Sequence, residues 1–263
     1  MPKQSTTLKR WLLPVISLLL PMMVLAGGCT TSGFGTRKTL EVSGSVAVDV
    51  VTFGGDVKVI ATGKRQVTPF VLITPESHHA IHRNDEARAS LEEIDWDIEV
   101  VNEGGRDVVR IRTSTLYREP ALQRVHVTVG VPELDGIRVK TRLGHVEINE
   151  STGPIDIETT KGDIEIVTTK PAHGPISAVT TDGDIQLRVP PGSSGRLDCY
   201  TGDGRIISSV PTGRLQVQGR SNDQILDAIL NDGTSPIVLR TNDGTIRVIV
   251  KKNPYEQSSL LLY

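Results

Sequence analysis

One pattern of apolar and polar positions recurs along the chain: apolar, x, apolar, x, Thr, x, x, Gly, x, apolar, x, apolar. Copies begin at Val48, Ile137, Ile155, Ile176, Leu197 and Ile237, and a degenerate copy begins at Leu215. An alternation of period two predicts a short strand with one buried face. The Gly between two such strands permits a corner with positive φ. Each copy therefore predicts two short strands joined at a corner.

The spacing of the copies predicts how these units assemble. From Ile137 onward a copy begins about every 20 residues, and a unit of this size cannot bury its own apolar face. Successive units, here called rungs, are expected to stack about 4.8 Å apart. The chain is predicted to be all-β, a β-solenoid or flattened β-roll of short two-stranded rungs.

The register lapses between Val59 and Ile137, where other elements are predicted. We expect a strand near Val67–Thr74, a short helix near Asp85–Ile94, and a hairpin with strands Asp97–Val101 and Asp107–Arg112. This irregular N-terminal β segment, residues 40–136, is expected to cap the regular rungs of residues 137–250. Residues Asn222–Leu230 fit a helical turn or a loop. Residues 251–263 form a tail to this single domain, 40–263.

The N-terminus has the pattern of an export signal, residues 1–28. Three basic residues precede the uncharged apolar run Trp11–Leu25, and this run is shorter than the roughly 20 residues of a spanning helix. It ends in Leu25-Ala26-Gly27-Gly28-Cys29, which resembles the lipobox of bacterial lipoproteins. The resemblance implies that Cys29 is acylated and becomes the new N-terminus. An ordinary cleavage site beside an incidental Cys is the alternative.

Acyl chains on Cys29 would attach the mature chain to a membrane. The Thr-, Gly- and Ser-rich residues 29–39 are expected to be a flexible tether. The mature part retains 26 basic and 31 acidic residues, so no polybasic patch draws it to anionic lipid. Thr30 follows Cys29 where Asp would favour retention at the inner membrane. A place in the cell envelope, at the outer rather than the inner membrane, is the expectation.

Composition excludes several classes of protein. A net charge of −2 and nine aromatic residues in 263 offer neither the basic stripe nor the stacking rings of a nucleic-acid surface. Two Cys cannot build a disulfide framework. The low aromatic content fits a core of Ile and Val. No motif for a cofactor is present, and none is expected.

Acidic residues beside the corner Gly are the first candidates for chemistry. In stacked rungs Asp182, Asp184 and Asp203 would lie within a few ångströms of one another and could bind Ca²⁺. Asp-Gly is also ordinary turn chemistry, in which the side chain accepts local N–H groups. The same acids would suit a carbohydrate-active β-helix enzyme, although the outward positions supply few aromatics for a sugar besides Tyr200.

Three further features have two interpretations each. His78 and His82 would share one face of a helical turn and bind a metal with Glu76 or Asp85, or they lie in a solvated loop with His79. Cys199 occupies an apolar slot, so it is expected to point inward rather than to act as a nucleophile. The outward apolar residues at positions 179, 200 and 207 would receive the C-terminal Leu260–Tyr263 or a partner.

Several motifs together resemble one known family. The segments Gly162-Asp163-Ile164, Gly183-Asp184-Ile185 and Gly55-Asp56-Val57, with the lead-in Val131-Pro132, are similar to the bacterial putative-adhesin family of unknown function. The resemblance spans residues 40–250. It implies an exported or membrane-attached repeat domain, and it carries no catalytic residues.

The sequence thus predicts a lipid-anchored envelope protein that presents a non-catalytic β-repeat surface. Its partner would be an envelope protein or a surface polysaccharide. Two other functions stay open, a carbohydrate-active β-helix enzyme and an envelope-stress regulatory or sensor lipoprotein.

Overall fold

The computed structural model describes residues 28–42, 44–63 and 68–256. The proposed signal, apart from Gly28, and the tail Leu260–Tyr263 lie outside the described residues. The described chain is built from strands in two facing sheets that enclose a core of Val, Ile and Leu. The expected all-β fold of stacked rungs is confirmed.

In its described residues, the first half of the chain contains nine strands and the α-helix α1. In chain order they are β1 (Gly28–Ser32), β2 (Thr36–Thr39), β3 (Ser45–Val51), β4 (Val57–Ala61), β5 (Phe70–Ala80), α1 (Asn84–Leu91), β6 (Ile94–Glu103), β7 (Arg106–Thr115), β8 (Gln123–Val131) and β9 (Glu133–Lys140). Short 3-10 helices, Ile81–Arg83 and Pro120–Leu122, precede α1 and β8. The predicted short helix and hairpin are both present.

Among the described residues, the second half of the chain contains strands and no helix. They are β10 (Val146–Asn149), β11 (Ile155–Glu158), β12 (Ile164–Val167), β13 (Ile176–Val179), β14 (Ile185–Val189), β15 (Gly195–Asp203), β16 (Ile206–Ser209), β17 (Leu215–Ser221), β18 (Ile225–Leu230), β19 (Pro236–Asp243) and β20 (Ile246–Val250). The first sheet has the order β1-β5-β8-β4-β10-β12-β14-β20-β16, with β2 also on β5. The second sheet has the order β17-β18-β15-β19-β13-β11-β9-β3-β7-β6.

Each rung contributes one strand to each sheet, and parallel pairing in register stacks equivalent slots. The partners Val59, Ile148, Ile166, Leu187 and Val248 follow one another across five strands, and none is more than 1% exposed. Burying a Val, Ile or Leu side chain contributes roughly 1.5–3 kcal/mol. Columns of this kind are the main source of cohesion between rungs.

The rungs do not stack in chain order, contrary to expectation. The copy that begins at Val48 forms β3 and β4, which lie between the β7–β8 rung and the β9–β10 rung. The copy that begins at Ile237 forms β19 and β20, which lie between the β13–β14 and β15–β16 rungs. Residues 40–136 are therefore not only a cap, because they include regular rungs.

Antiparallel strands close one end of the stack in both sheets and its other end in the second sheet, whereas the first sheet ends there in the parallel strand β16. At one end β5 pairs with β8 and β6 pairs with β7. At the other end β18 pairs with β15 and β17 pairs with β18. We call the end with β1, β2, β6 and α1 the proximal end, and the end with β16, β17 and β18 the distal end.

Three local expectations are corrected by these strands. Asn222–Leu230 is neither a helical turn nor a loop over most of its length, because Leu226, Ala228 and Leu230 alternate inward as part of β18. The degenerate copy at Leu215 is a strand of the closing hairpin and not a rung. Within residues 29–39, β1 and β2 hydrogen-bond to the edge of β5 instead of forming a flexible tether.

The corner glycines are required by close contact between rungs. Gly162 has φ +140°, and a Cβ atom added there would lie 2.1 Å from the carbonyl oxygen of Gly144 in the adjacent rung. The buried Thr three residues before each corner Gly supports the same turn. Thr180 donates to the Gly162 carbonyl at 3.1 Å, and Thr113 donates to Thr52 at 2.8 Å. The Thr hydroxyl thus bonds to a corner carbonyl of the adjacent rung in one case and to a Thr of the adjacent rung in the other.

Candidate interaction surface

A ladder of side chains runs along the corners, one residue after each corner Gly. Asp56 Oδ1 accepts the His145 N–H at 2.8 Å, and His145 Nδ1 accepts the Asp163 N–H at 3.2 Å. Asp163 Oδ1 then accepts the Asp184 N–H at 2.8 Å, and Asp184 Oδ1 accepts the Thr245 N–H at 2.7 Å. Each side chain thus satisfies a backbone donor of the next rung. The corner acids act here as turn residues.

The stacking order also separates the acids proposed for Ca²⁺. Asp182 is the neighbour of Asp243, and Asp243 in turn is the neighbour of Asp203, so Asp182 and Asp203 are two rungs apart. Asp182 forms an ion pair with Lys161 at 3.2 Å, and Asp184 forms one with Arg247 at 2.6 Å. In the described part of the chain no group of three acidic, His or Cys side chains could hold a metal. The expected cluster of Asp182, Asp184 and Asp203 is not assembled.

Hydrogen bonds also determine the protonation of Asp184. Asp184 is partly desolvated, but the Thr245 N–H and the Arg247 guanidinium stabilise its charged form and hold its pKa below the usual range. The Asp184 carboxyl group is therefore ionised at neutral pH. A catalytic acid requires the opposite environment, a raised pKa. This corner acid therefore lacks the environment of a glycosidase acid.

Ion pairs cover the outer face of the second sheet towards the proximal end. Arg138 pairs with Asp156 at 3.7 Å and Lys140 pairs with Glu158 at 2.6 Å on neighbouring strands. Arg112 pairs with Asp49 in the same way. Each exposed pair contributes little to stability, but together the pairs cover this flank with positive and negative charges that neutralise one another.

A groove of about 380 Å³ crosses this charged flank at β3, β7 and β9. Three arginines line it, and each has a carboxylate partner: Arg106 with Asp135 at 3.6 Å, Arg110 with Glu99 at 3.5 Å, and Arg138 with Asp156. Because its cations are already paired, the groove is a weak candidate for an anion site.

Towards the distal end exposed apolar side chains lie among the ion pairs, which continue there as Arg240 with Asp198 at 2.7 Å and Arg196 with Asp227 at 3.6 Å. On the second sheet Tyr200 is 47% exposed, beside Arg240 and beyond it Val179. On the first sheet Ile207 is 41% exposed. The outward apolar residues therefore do not form the one patch that was expected, because Val179 and Tyr200 lie on one sheet and Ile207 lies on the other.

The distal end itself has strand edges with no further described strand beside them, although the Ile206 N–H of β16 bonds to the Asp223 carbonyl at 2.7 Å. Strand β16 is the last of the first sheet, and β17 is the last of the second sheet. The second sheet extends beyond the first by β18 and β17, so Val217 is 49% exposed although its partner Ala228 is buried. An unpaired edge with apolar residues is a template for pairing with another chain. We call β16, β17, Tyr200, Ile207 and Val217 the distal surface.

Comparisons with known proteins agree with this architecture. Residues 127–249 match the model of the family described as Toastrack DUF4097. Residues 127–249 form a Toastrack domain. The resemblance to the putative-adhesin family is thereby confirmed, and the β3–β4 rung adds a further layer to the Toastrack domain from outside the matched range.

Solved structures resemble the Toastrack domain and its capping strands together. A putative cell adhesion protein from Clostridium sporogenes aligns with 83% of this chain and 99% of its own, with a TM-score of 0.57 and 11% identity. This likeness shows the fold. A putative adhesin from Bacteroides fragilis aligns with 82% and 97% of the two chains, at a TM-score of 0.31 and 14% identity. No curated protein matches the sequence.

Two of the three clustered histidines lie in a strand and the third lies in a short helix. Strand β5 continues to Ala80, so His78 and His79 point to opposite faces, whereas His82 lies in the 3-10 helix Ile81–Arg83. Neither one helical turn bearing His78 and His82 nor a solvated loop is observed. His79 is buried, and its Nε2 lies 2.9 Å from the Tyr117 hydroxyl, which donates to Glu86 on α1 at 2.9 Å. The network joins α1 to β5, and no periodic pattern of residues predicts it.

Charge on α1 is fixed by the same network. The Arg83 guanidinium, with the Tyr117 hydroxyl, holds the pKa of Glu86 well below its usual range. Glu86 also accepts a hydrogen bond from Arg118 at 3.1 Å. These contacts anchor the exposed helix to the proximal end, and they account for its position without a metal.

The two cysteines occupy opposite ends of the molecule. Cys199 lies in the Toastrack core, as predicted, and its burial, with the charge of Asp198, raises the pKa of its thiol to about 12. A thiol so protonated is a poor nucleophile. Cys29 lies in β1, where its backbone is the partner of His79 on β5.

In the described part of the chain no helix is long and apolar enough to cross a membrane.

Proposed function

We propose that the chain is a lipid-anchored protein of the bacterial cell envelope, whose Toastrack domain presents its distal surface to a partner. The observation that carries the proposal is the polarity of the stack. Cys29 lies in the edge strand β1 at the proximal end, whereas β16 is the opposite edge of the same sheet. Eight strand spacings of about 4.8 Å separate them by about 38 Å. Acyl chains on Cys29 would therefore leave the distal surface remote from the membrane.

The similar structures favour the same role. Their names, cell adhesion protein and adhesin, support a place at the cell surface or in the envelope and a role in binding. The lipobox resemblance at Cys29 supports lipid anchoring, with the outer membrane favoured by Thr30. Binding without catalysis is supported by the corner acids, whose oxygens are engaged by backbone N–H groups.

The distal surface suits a protein partner or a surface polysaccharide in different ways. An unpaired edge such as β16 can accept a strand from another protein. Tyr200, exposed beside Arg240, offers the single ring on this face of β15 that a sugar could stack against. Because apolar Ile207 and Val217 add to the edges and not to a sugar groove, we favour a protein of the envelope.

The first experiment compares the native chain with Cys29→Ser in a bacterial host that acylates lipoproteins. We expect the native protein to begin at Cys29, to carry acyl mass and to fractionate with membranes, whereas Cys29→Ser carries no acyl mass. The matched control is Cys199→Ala, which removes the other cysteine from the core and leaves acylation unchanged. Native protein without acyl mass would refute the lipid anchor.

A further inference from the structure

Two apolar side chains of the proximal end are far more exposed than any other in the described residues. Phe34 is 101% exposed and Leu116 is 90% exposed, whereas the remaining exposed large hydrophobics lie between 38% and 49%. A single exposed apolar side chain is ordinary on a soluble protein. Two fully exposed ones at the same corner of a molecule indicate a surface that is covered in use.

Both side chains flank the end of α1. Phe34 follows Gly33, which donates its N–H to the Pro75 carbonyl at 2.9 Å and lies against Leu91, the last residue of α1. Leu116 donates its N–H to the Glu93 carbonyl at 3.2 Å, two residues beyond that helix. The backbone at Gly33 and at Leu116 is therefore held by hydrogen bonds, while the Phe34 and Leu116 side chains project into solvent.

Their position relative to Cys29 identifies the partner. Phe34 is five residues from Cys29 and lies between β1 and β2, the two segments that form the proximal edge of the first sheet. A chain of five residues spans at most about 18 Å. A bilayer that holds acyl chains on Cys29 would thus lie within range of the Phe34 side chain.

We infer that Phe34 and Leu116 enter the interfacial layer of the membrane that holds the acyl chains of Cys29. The inference rests on the proposed function, and it adds an orientation: the proximal end lies against the bilayer and the stack projects away from it. Acidic Glu93, whose carbonyl accepts the Leu116 N–H, and exposed Arg118, two residues beyond Leu116, give this edge both signs of charge. The contact therefore does not depend on anionic headgroups and is with the acyl and glycerol region of the lipid.

The test measures the depth of each position in a bilayer. Acylated full chain would be purified as Phe34→Trp, as Leu116→Trp and, as a matched control at the distal surface, as Ile207→Trp. Each is reconstituted into phosphatidylcholine vesicles with or without brominated acyl chains, and emission is compared with the parent, which carries Trp96. We expect brominated lipid to lower the added emission at least twofold at positions 34 and 116 and to leave position 207 unchanged.

Two outcomes would overturn the inference, and they are distinguishable. Acylated protein that floats with the vesicles but shows no quenching at positions 34 and 116 overturns the membrane contact and leaves the lipid anchor standing. Equal quenching at all three positions overturns the orientation. Protein that carries no acyl mass and does not float refutes the proposed function as well.

Discussion

At the scale of single residues, the corner of each rung requires glycine, because there is no room for a Cβ atom. Gly183 approaches Gly162 nearly as closely as Gly162 approaches Gly144, since a Cβ at residue 183 would lie 2.3 Å from the Gly162 carbonyl oxygen, against 2.1 Å for the other pair. The contact is with a backbone atom, which cannot move away by a change of rotamer as a side-chain atom can. The glycine column is therefore a steric requirement of the stacking distance, in addition to a conformational preference.

Gly162→Ala should destabilise the protein by about 3 kcal/mol, the sum of strain at positive φ and the clash with the adjacent rung. The matched control is Gly104→Ala in the β6–β7 hairpin, where φ is +62° and no atom lies within 4 Å of the added Cβ. Its cost should be about 1 kcal/mol, from φ alone. Urea unfolding of both variants measures the difference, and equal costs would contradict the steric argument.

At the scale of elements, alternation in the sequence predicts which faces are buried but not which rung lies beside which. The inward residues of β11 and β13, Ile155 and Ile176, have partners of the same kind in β9 and β19. Any rung can stack on any other with its apolar columns in register, so the pattern is degenerate with respect to order. The order is decided by the closing strands and connections, whose sequences are irregular.

The order of rungs can be tested by cross-linking. In a form that begins at residue 30, Asp182→Cys with Asp243→Cys should form a disulfide, because these residues are direct bridge partners at the corners of adjacent rungs. Asp182→Cys with Asp203→Cys should not form one, since two strand spacings, about 9.6 Å, exceed the range of a disulfide. Mass spectrometry after mild oxidation distinguishes the pairs. A disulfide between residues 182 and 203 would mean that the rungs stack in chain order.

The candidate site could be predicted only in part for the same reason. Cys199 was placed in the core correctly because its slot belongs to the alternating pattern. Asp182 and Asp203 were expected to be neighbours because chain order was assumed. Phe34, an isolated aromatic between two glycines, belongs to no pattern at all, so its exposure is visible only in three dimensions.

At the scale of the whole molecule, the stacking of rungs out of chain order affects the cooperativity of unfolding. A repeat protein whose units contact only sequence neighbours can unfold from one end. Here the C-terminal rung, β19–β20, separates β13–β14 from β15–β16, and the N-terminal rung, β3–β4, separates β7–β8 from β9–β10. Neither terminal rung can leave without exposing apolar columns on both of its sides.

We therefore expect one unfolding transition, in spite of the repeats, and the chain carries its own probes for it. In a form that begins at residue 30, Trp96 on β6 is the one tryptophan and Cys199 on β15 is the one cysteine. They report on the proximal and distal parts respectively. The urea midpoint from Trp96 fluorescence should coincide with the midpoint from labelling of the Cys199 thiol, as two-state unfolding requires. Labelling of Cys199 at a urea concentration that leaves Trp96 unchanged would mean that the distal rungs unfold alone, and that the out-of-order threading does not couple the two ends.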